Sequence, residues 1–200
     1  MSSSSPSLPK YSDHDLQRLK QLAALPLSDP EEIGKVIDTF GYLDEWKVNY
    51  RICSVHSSLH SEKITCIDAA VLSYGLLELL FPKVKRRLLT IHRRDMNGEE
   101  CGHCVTLYWG KDGQVGAFSK SSFNGFGHRK PIFLNEDAIA RSFAEAYLKM
   151  DFVPLYYGVT TLEEAASDLD WRFSDENINV LSDRLIQRYQ YSFDVDKNEP

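Results

Sequence analysis

No stretch of this chain is apolar over the roughly 20 residues that a bilayer-spanning helix needs, so no membrane segment and no membrane partner are expected. Positive charge is in short supply: 23 Lys and Arg stand against 29 Asp and Glu, for a net charge of −6. The pI of about 5.5 argues against a nucleic-acid partner, because such a field repels a phosphate backbone. Cysteine is sparse as well. Four in 200 residues do not make a disulfide scaffold, and a reduced, cytoplasmic setting is expected. Met1 to Lys10 is rich in Ser and Pro and lacks an apolar core segment, so no secretory signal is expected. No internal repeat stands out.

What is present suits a globular protein: 42% of residues are hydrophobic and 12% aromatic. The length suggests one domain with a sizeable core. The expected organisation is a disordered tail over 1–11, one domain over 12–192, and a C-terminal tail over 193–200.

The chain is organised around Thr65-Cys66-Ile67-Asp68 and the run that follows. Thr65 and Asp68 fit a capping box, which predicts a helix with Thr65 as N-cap and Cys66 in its first turn. From Ala69 to Phe81 the only charged residue is Glu78, so the helix is apolar all round and should be buried. Ala69, Ala70, Ser73 and Gly75 would let a sheet approach closely. A thiol on the first turn of a buried helix sits where unpaired N–H groups and the helix dipole favour a thiolate. The same N–H groups can hold an oxyanion.

Upstream, Ser12 or Asp13 starts a helix to about Leu25, and Asp29-Pro30-Glu31-Glu32 starts another that should reach about Trp46. Arg51 to Val55 reads as a short strand and His56 to Lys63 as a loop. Downstream, Arg87–His92, Gly102–Trp109 and Gln114–Ser119 read as strands, the last two joined by the hairpin signal Gly110-Lys111-Asp112-Gly113. Pro131–Phe133 adds an edge strand. Asn135 caps a helix to about Met150, residues 151–172 are mixed, and a last helix is expected from Glu176 to about Tyr191. Helices followed by antiparallel strands and further helices argue for an α+β fold.

A thiol nucleophile needs a base and a group to orient that base. His103, near the start of a strand, is the candidate base. With 110–113 as the hairpin loop, position 103 falls opposite 120, and a one-residue shift brings Ser119 opposite. Asn124, in the following loop, is the alternative orienting group. His60 precedes the thiol by six residues and is a weak candidate oxyanion donor. Phe118, Phe123 and Phe126 are weak candidates for an acyl or aromatic pocket, against the plainer role of packing the loop onto the sheet.

The helix-borne Cys66, the strand-borne His103 and the next strand's position near 119 resemble the papain-like, transglutaminase-like cysteine superfamily, over about residues 60–125. The spacing is similar to that of arylamine N-acetyltransferases. The segments Gly102-His103-Cys104-Val105-Thr106-Leu107-Tyr108 and Gly116 to Phe123 also look like uncharacterised transglutaminase-like proteins. The resemblance implies a buried helix packed on an antiparallel sheet, with Cys66 as nucleophile and His103 as base. Where that family carries Asp or Asn, this chain has Ser119. The activity implied is acyl transfer from a small-molecule or peptide substrate, by an amide or ester hydrolase, a peptidase or a transglutaminase-like transferase. No metal and no redox cofactor are implied.

A transglutaminase-like domain kept as a catalytically inactive binding module is the alternative. A second is a thiol–disulfide oxidoreductase, because Cys101-Gly102-His103-Cys104 matches the tetrapeptide of protein disulfide isomerases. In an extended strand, however, positions three apart face opposite sides and their sulfurs point apart. A zinc site from Cys53, Cys101, Cys104 and a histidine lacks a second closely spaced ligand pair.

Overall fold

A computed structural model of the chain describes residues 11–23, 27–44 and 50–193. The elements run α1 (Asp13–Ala23), a 3-10 turn (Pro30–Glu32), α2 (Ile33–Asp38), β1 (Gly41–Tyr42), α3 (Val55–Leu59), β2 (Lys63–Ile64) and α4 (Cys66–Leu80). There follow β3 (Arg86–Arg94), β4 (Glu100–Trp109), β5 (Val115–Phe118), β6 (Arg129–Phe133), α5 (Glu136–Leu148), β7 (Val153–Thr160), α6 (Leu162–Ala165), α7 (Val180–Ile186) and β8 (Tyr191–Ser192). The fold is mixed α+β. Its main sheet has six antiparallel strands in the order β6-β5-β4-β3-β7-β8, and β1 with β2 forms a separate parallel pair. Among the described residues no helix is long and apolar enough to cross a membrane.

The sheet separates two cores, and the strand pleat distributes side chains between them. On β4, Cys104 and Tyr108 join the core around α4, while Val105 and Leu107 join the core beneath α5. Thr106 Oγ1 donates to Ala70 O at 2.6 Å and fastens the strand to α4. The expected close approach at Gly75 is to a helix rather than a sheet: a Cβ there would lie 2.6 Å from Val55 Cγ2 on α3. Glu78, the one charged residue on α4 beyond Asp68 in its first turn, is met by a two-pronged Arg172, Nε and Nη2 each at 2.7 Å.

Several elements differ from the sequence expectation. The helix after Asp29 ends at Asp38, because Thr39 Oγ1 bonds back to Val36 O and Gly41 leaves to pair with Lys63. Trp46 lies outside the described residues. The expected strand before Val55 is absent: Ser54 instead caps α3, so half of the expected loop 56–63 is helical. β7 falls in the segment read as mixed. The last helix begins at Val180, after Asn177 has taken a left-handed φ of 58°, and gives way to β8. Of the two expected tails, most lies outside the described residues. Tyr11, however, packs edge-on to Phe173, and the Phe193 amide donates to Leu155 O at 3.0 Å.

Candidate functional site

The α4 N-terminus is built by the capping box. Thr65 Oγ1 accepts from the Asp68 amide at 3.3 Å, and Asp68 Oδ2 accepts from the Thr65 amide at 3.0 Å. Asp68 does more than the sequence indicated. Its Oδ1 accepts from the Cys53 amide at 2.9 Å and from the Tyr50 hydroxyl, which ties the preceding loop to the helix start. Asp68 is therefore committed to the chain behind the helix. Its burial raises the carboxyl pKa, against the lowering effect of these hydrogen bonds.

His103 lies on β4 with only 6% of its surface exposed. The hairpin register is shifted by one residue from the expected one, in the direction away from a His103–Ser119 pair: Trp109 pairs with Val115 and Thr106 with Phe118, where the ladder ends, so neither 120 nor 119 falls opposite His103. Continued by one step, Ser119 faces Val105, and His103 is its diagonal neighbour on the same face. His103 Nε2 and Ser119 Oγ are 2.9 Å apart, and Ser119 Oγ donates to Phe126 O at 2.6 Å. The serine has one proton and spends it on that carbonyl, so its oxygen accepts from His103 Nε2–H. Nε2, not Nδ1, is thus the anchored nitrogen, and Nδ1 carries the lone pair. Burial pushes the imidazole pKa down to about 3, and the positive charges of Arg93 and Arg129 push the same way. His103 is neutral at pH 7.

Cys66 and His103 line the same two cavities, of about 420 and 210 Å³. His103 stands on the part of β4 that runs past the end of β5, since β5 pairs only with Thr106 to Trp109. The larger cavity is completed by Ile67, Tyr189 and α7 residues such as Leu185. The smaller one is lined by Arg93, Tyr147, Phe123 and Asp44 among others.

Arg93 was not singled out from sequence. It is 6% exposed, and its guanidinium carbon lies 3.8 Å from the Phe152 ring centroid and 4.8 Å from that of Tyr147. Its Nε and Nη1 are buried with no hydrogen-bond partner. A signal existed: Leu89, Ile91 and Arg93 share one strand face, and the charge breaks an otherwise apolar alternation.

The other candidates are dispersed. Asn124 is exposed in a turn and lines neither cavity, and His60 is also absent from both. The His60 ring stacks on His14, and its Nε2 lies 3.3 Å from Asp15 Oδ1. An oxyanion role for His60 is therefore not supported by its position. Phe118 stacks on Tyr108 in the α4-side core, away from both cavities. Phe126 presents its ring edge to His103 at 5.8 Å, while Phe123 lines the smaller cavity.

None of the four cysteines is joined in a disulfide. Cys104 joins the α4-side core, while Cys101 pairs across the ladder with Arg93 on the other strand face. Burial raises the Cys104 thiol well above its ordinary pKa, and it pushes Cys53 up to about 12. Neither has the depressed pKa of a redox nucleophile. Among the described residues, one group has ligand atoms close enough to share a metal: Asp15, His56 and His60, all within 4.8 Å of one another. It contains no cysteine, and Asp15 Oδ1 already lies 2.7 Å from His56 Nδ1.

No protein-family model matches the chain, and no curated protein is significantly similar to it.

Proposed function

We propose that the protein is a thiol-dependent acyl-transfer enzyme of the papain-like, transglutaminase-like class, acting on an amide or ester of a small molecule or peptide. The observation that carries this reading is the shared cavity wall of Cys66, in the first turn of a buried helix, and His103, anchored through Nε2 with the Nδ1 lone pair left unprotonated.

The neutral His103 takes the Cys66 proton on Nδ1 as the sulfur attacks the substrate carbonyl carbon. The carbonyl π pair moves to oxygen, and the N–H groups opening α4 stabilise that oxyanion, the Cys66 amide among them. When the tetrahedral adduct collapses, His103 returns the proton to the leaving amine or alcohol, leaving a thioester on Cys66. Water or an amine then attacks the thioester, giving its proton to His103, and the thiol is regenerated. Burial, and after it the Arg93 and Arg129 charges, oppose a resting imidazolium, so the proton moves during attack rather than beforehand. The Arg93 guanidinium, lining the cavity that Cys66 and His103 share, favours negative charge as it forms there.

The test is acylation by an activated ester such as p-nitrophenyl acetate, read by mass spectrometry of the Cys66 peptide. Acetyl-Cys66 should accumulate in the wild type and be lost in His103→Ala. If acetyl appears only on Cys53 or Cys101, the enzyme reading fails. The inactive binding-module reading draws on one observation, a serine rather than a carboxylate or amide behind the histidine. It predicts no acetyl-Cys66 at all.

A further inference from the structure

A buried guanidinium with unmet N–H groups is expensive unless something satisfies it, because the desolvation penalty of a charge is large. Arg93 is in that position: Nε and Nη1 are buried and partnerless, beside the cavity it shares with Cys66 and His103. The Phe152, Tyr147 and Phe123 rings compensate part of the charge. A π face accepts no directed in-plane N–H bond, so the orphan donors remain. Arg129, the other cation acting on His103, differs. It donates to Gly127 O at 3.1 Å and Gly125 O at 2.6 Å, so its hydrogen bonds serve the loop.

We infer that Arg93 is a carboxylate anchor, and that the acyl substrate delivered to Cys66 carries a carboxylate beside its reactive carbonyl. This deepens the acyl-transfer reading and rests on it. With His103 neutral, Arg93 is the one cation among the described residues lining the smaller cavity, and Asp44 lines it too. A single cation suits a monoanion better than a phosphate dianion, and Asp44, which repels any anion there, weighs more heavily against the higher charge. A cavity of about 210 Å³ admits a short carboxylate-bearing chain between the aromatic walls of Phe123 and Tyr147. Bound there, the carboxylate would pair with the Arg93 guanidinium, whose donors the fold leaves unmet, and the remainder of the substrate would lie along the wall that also holds the thiol.

The experiment has two arms. In Cys66→Ala protein, propionate and its neutral isostere propionamide are titrated while the Arg93 Nε–H resonance is followed by NMR, assigned by its loss in Arg93→Lys. Propionate should shift the resonance saturably and propionamide should not. Equal responses, or none to propionate, overturn the anchor. In the wild type, Cys66 alkylation by iodoacetate is compared with iodoacetamide, read on the Cys66 peptide. The ratio should exceed that of free cysteine and fall about tenfold in Arg93→Met, equivalent to ~1.4 kcal/mol. An unchanged ratio overturns the proposal. If Cys66 reacts with neither reagent and never acylates, the acyl-transfer reading fails by itself. The propionate titration then still decides the anion site, with or without a folded Arg93→Met.

Discussion

His103 gives its Nε2 proton to Ser119 across 2.9 Å, and Ser119 passes its own proton to Phe126 O. The chain of donors runs one way. Reversing it would leave the Phe126 carbonyl facing an oxygen lone pair, so the histidine tautomer is fixed by a loop carbonyl. A carboxylate in place of the serine would both orient the ring and stabilise its charge; the hydroxyl only orients it. Burial first, and then the charges of Arg93 and Arg129, keep the ring neutral, and the hydroxyl supplies no charge to offset them.

Ser119→Ala should therefore act through geometry. The hypothesis follows from the two hydrogen bonds that the hydroxyl makes. Loss of the acceptor and donor leaves a buried ring N–H and a carbonyl unmet, at a cost of about 1–3 kcal/mol. Urea unfolding should report that loss, and Cys66 acetylation should slow. A variant as stable and as fast as the wild type would remove the orienting role from Ser119.

His103→Ala should separate acylation from alkylation. As general base, His103 is worth about 10²–10⁴-fold in the acyl-transfer step. Iodoacetamide needs only a thiolate, so its rate should fall much less. Parallel losses in both reactions would mean that the imidazole merely sets the thiolate population, contrary to its depressed basicity.

Stability should depend on pH through the same residue. The unfolded imidazole takes up a proton below about 6.5, whereas the folded one resists until about 3. The unfolded state then binds more protons across that interval, so stability is fully present above pH 6.5 and drains away as pH falls. Between pH 7 and 5 the loss from this group is ~2 kcal/mol at one pKa unit per 1.36 kcal/mol. Denaturant midpoints for wild type and His103→Gln should diverge less at pH 5 than at pH 7. Parallel pH profiles would show that His103 charges freely in the folded chain.

The elements that sequence made visible are those whose signals are local. The capping box and uninterrupted apolar run of α4 depend on few distant partners, and so does the Asn135 cap of α5. β7 was hidden because Pro154 and Gly158 read as breakers. In the fold, Pro154 stands where the β3–β7 register shifts, at a bulge that needs no donor. Gly158 admits the passing backbone: a Cβ there would lie 2.3 Å from Arg188 O. Both residues answer to chain far away in sequence. The site divides in the same way. Cap and strand signals singled out Cys66 and His103, whereas Ser119 was chosen from a hairpin register that the fold does not have, and it reaches His103 along the diagonal instead. Arg93 comes from a third strand, and its fit depends on rings from α5 and the segment before β7.

The Glu78–Arg172 pair gives the last prediction. Glu78 is 5% exposed in the apolar run of α4 that follows its first turn, and both its oxygens are held by Arg172 at 2.7 Å, with Arg86 Nη2 at 3.4 Å. Removing one partner strands the other in a low-dielectric setting, which costs about 3–5 kcal/mol, whereas replacing both by apolar groups is often neutral. Glu78→Met alone should thus destabilise the protein strongly in urea. Glu78→Met with Arg172→Met should recover much of the loss, limited by Arg86, which keeps its charge near the vacated position. The double variant should also retain the reactivity of Cys66, because Glu78 sits three helical turns from the thiol and lines neither cavity. If the double variant is no more stable than Glu78→Met, the pair is not the unit that stabilises this end of α4. The stranded charge would then be that of Arg86.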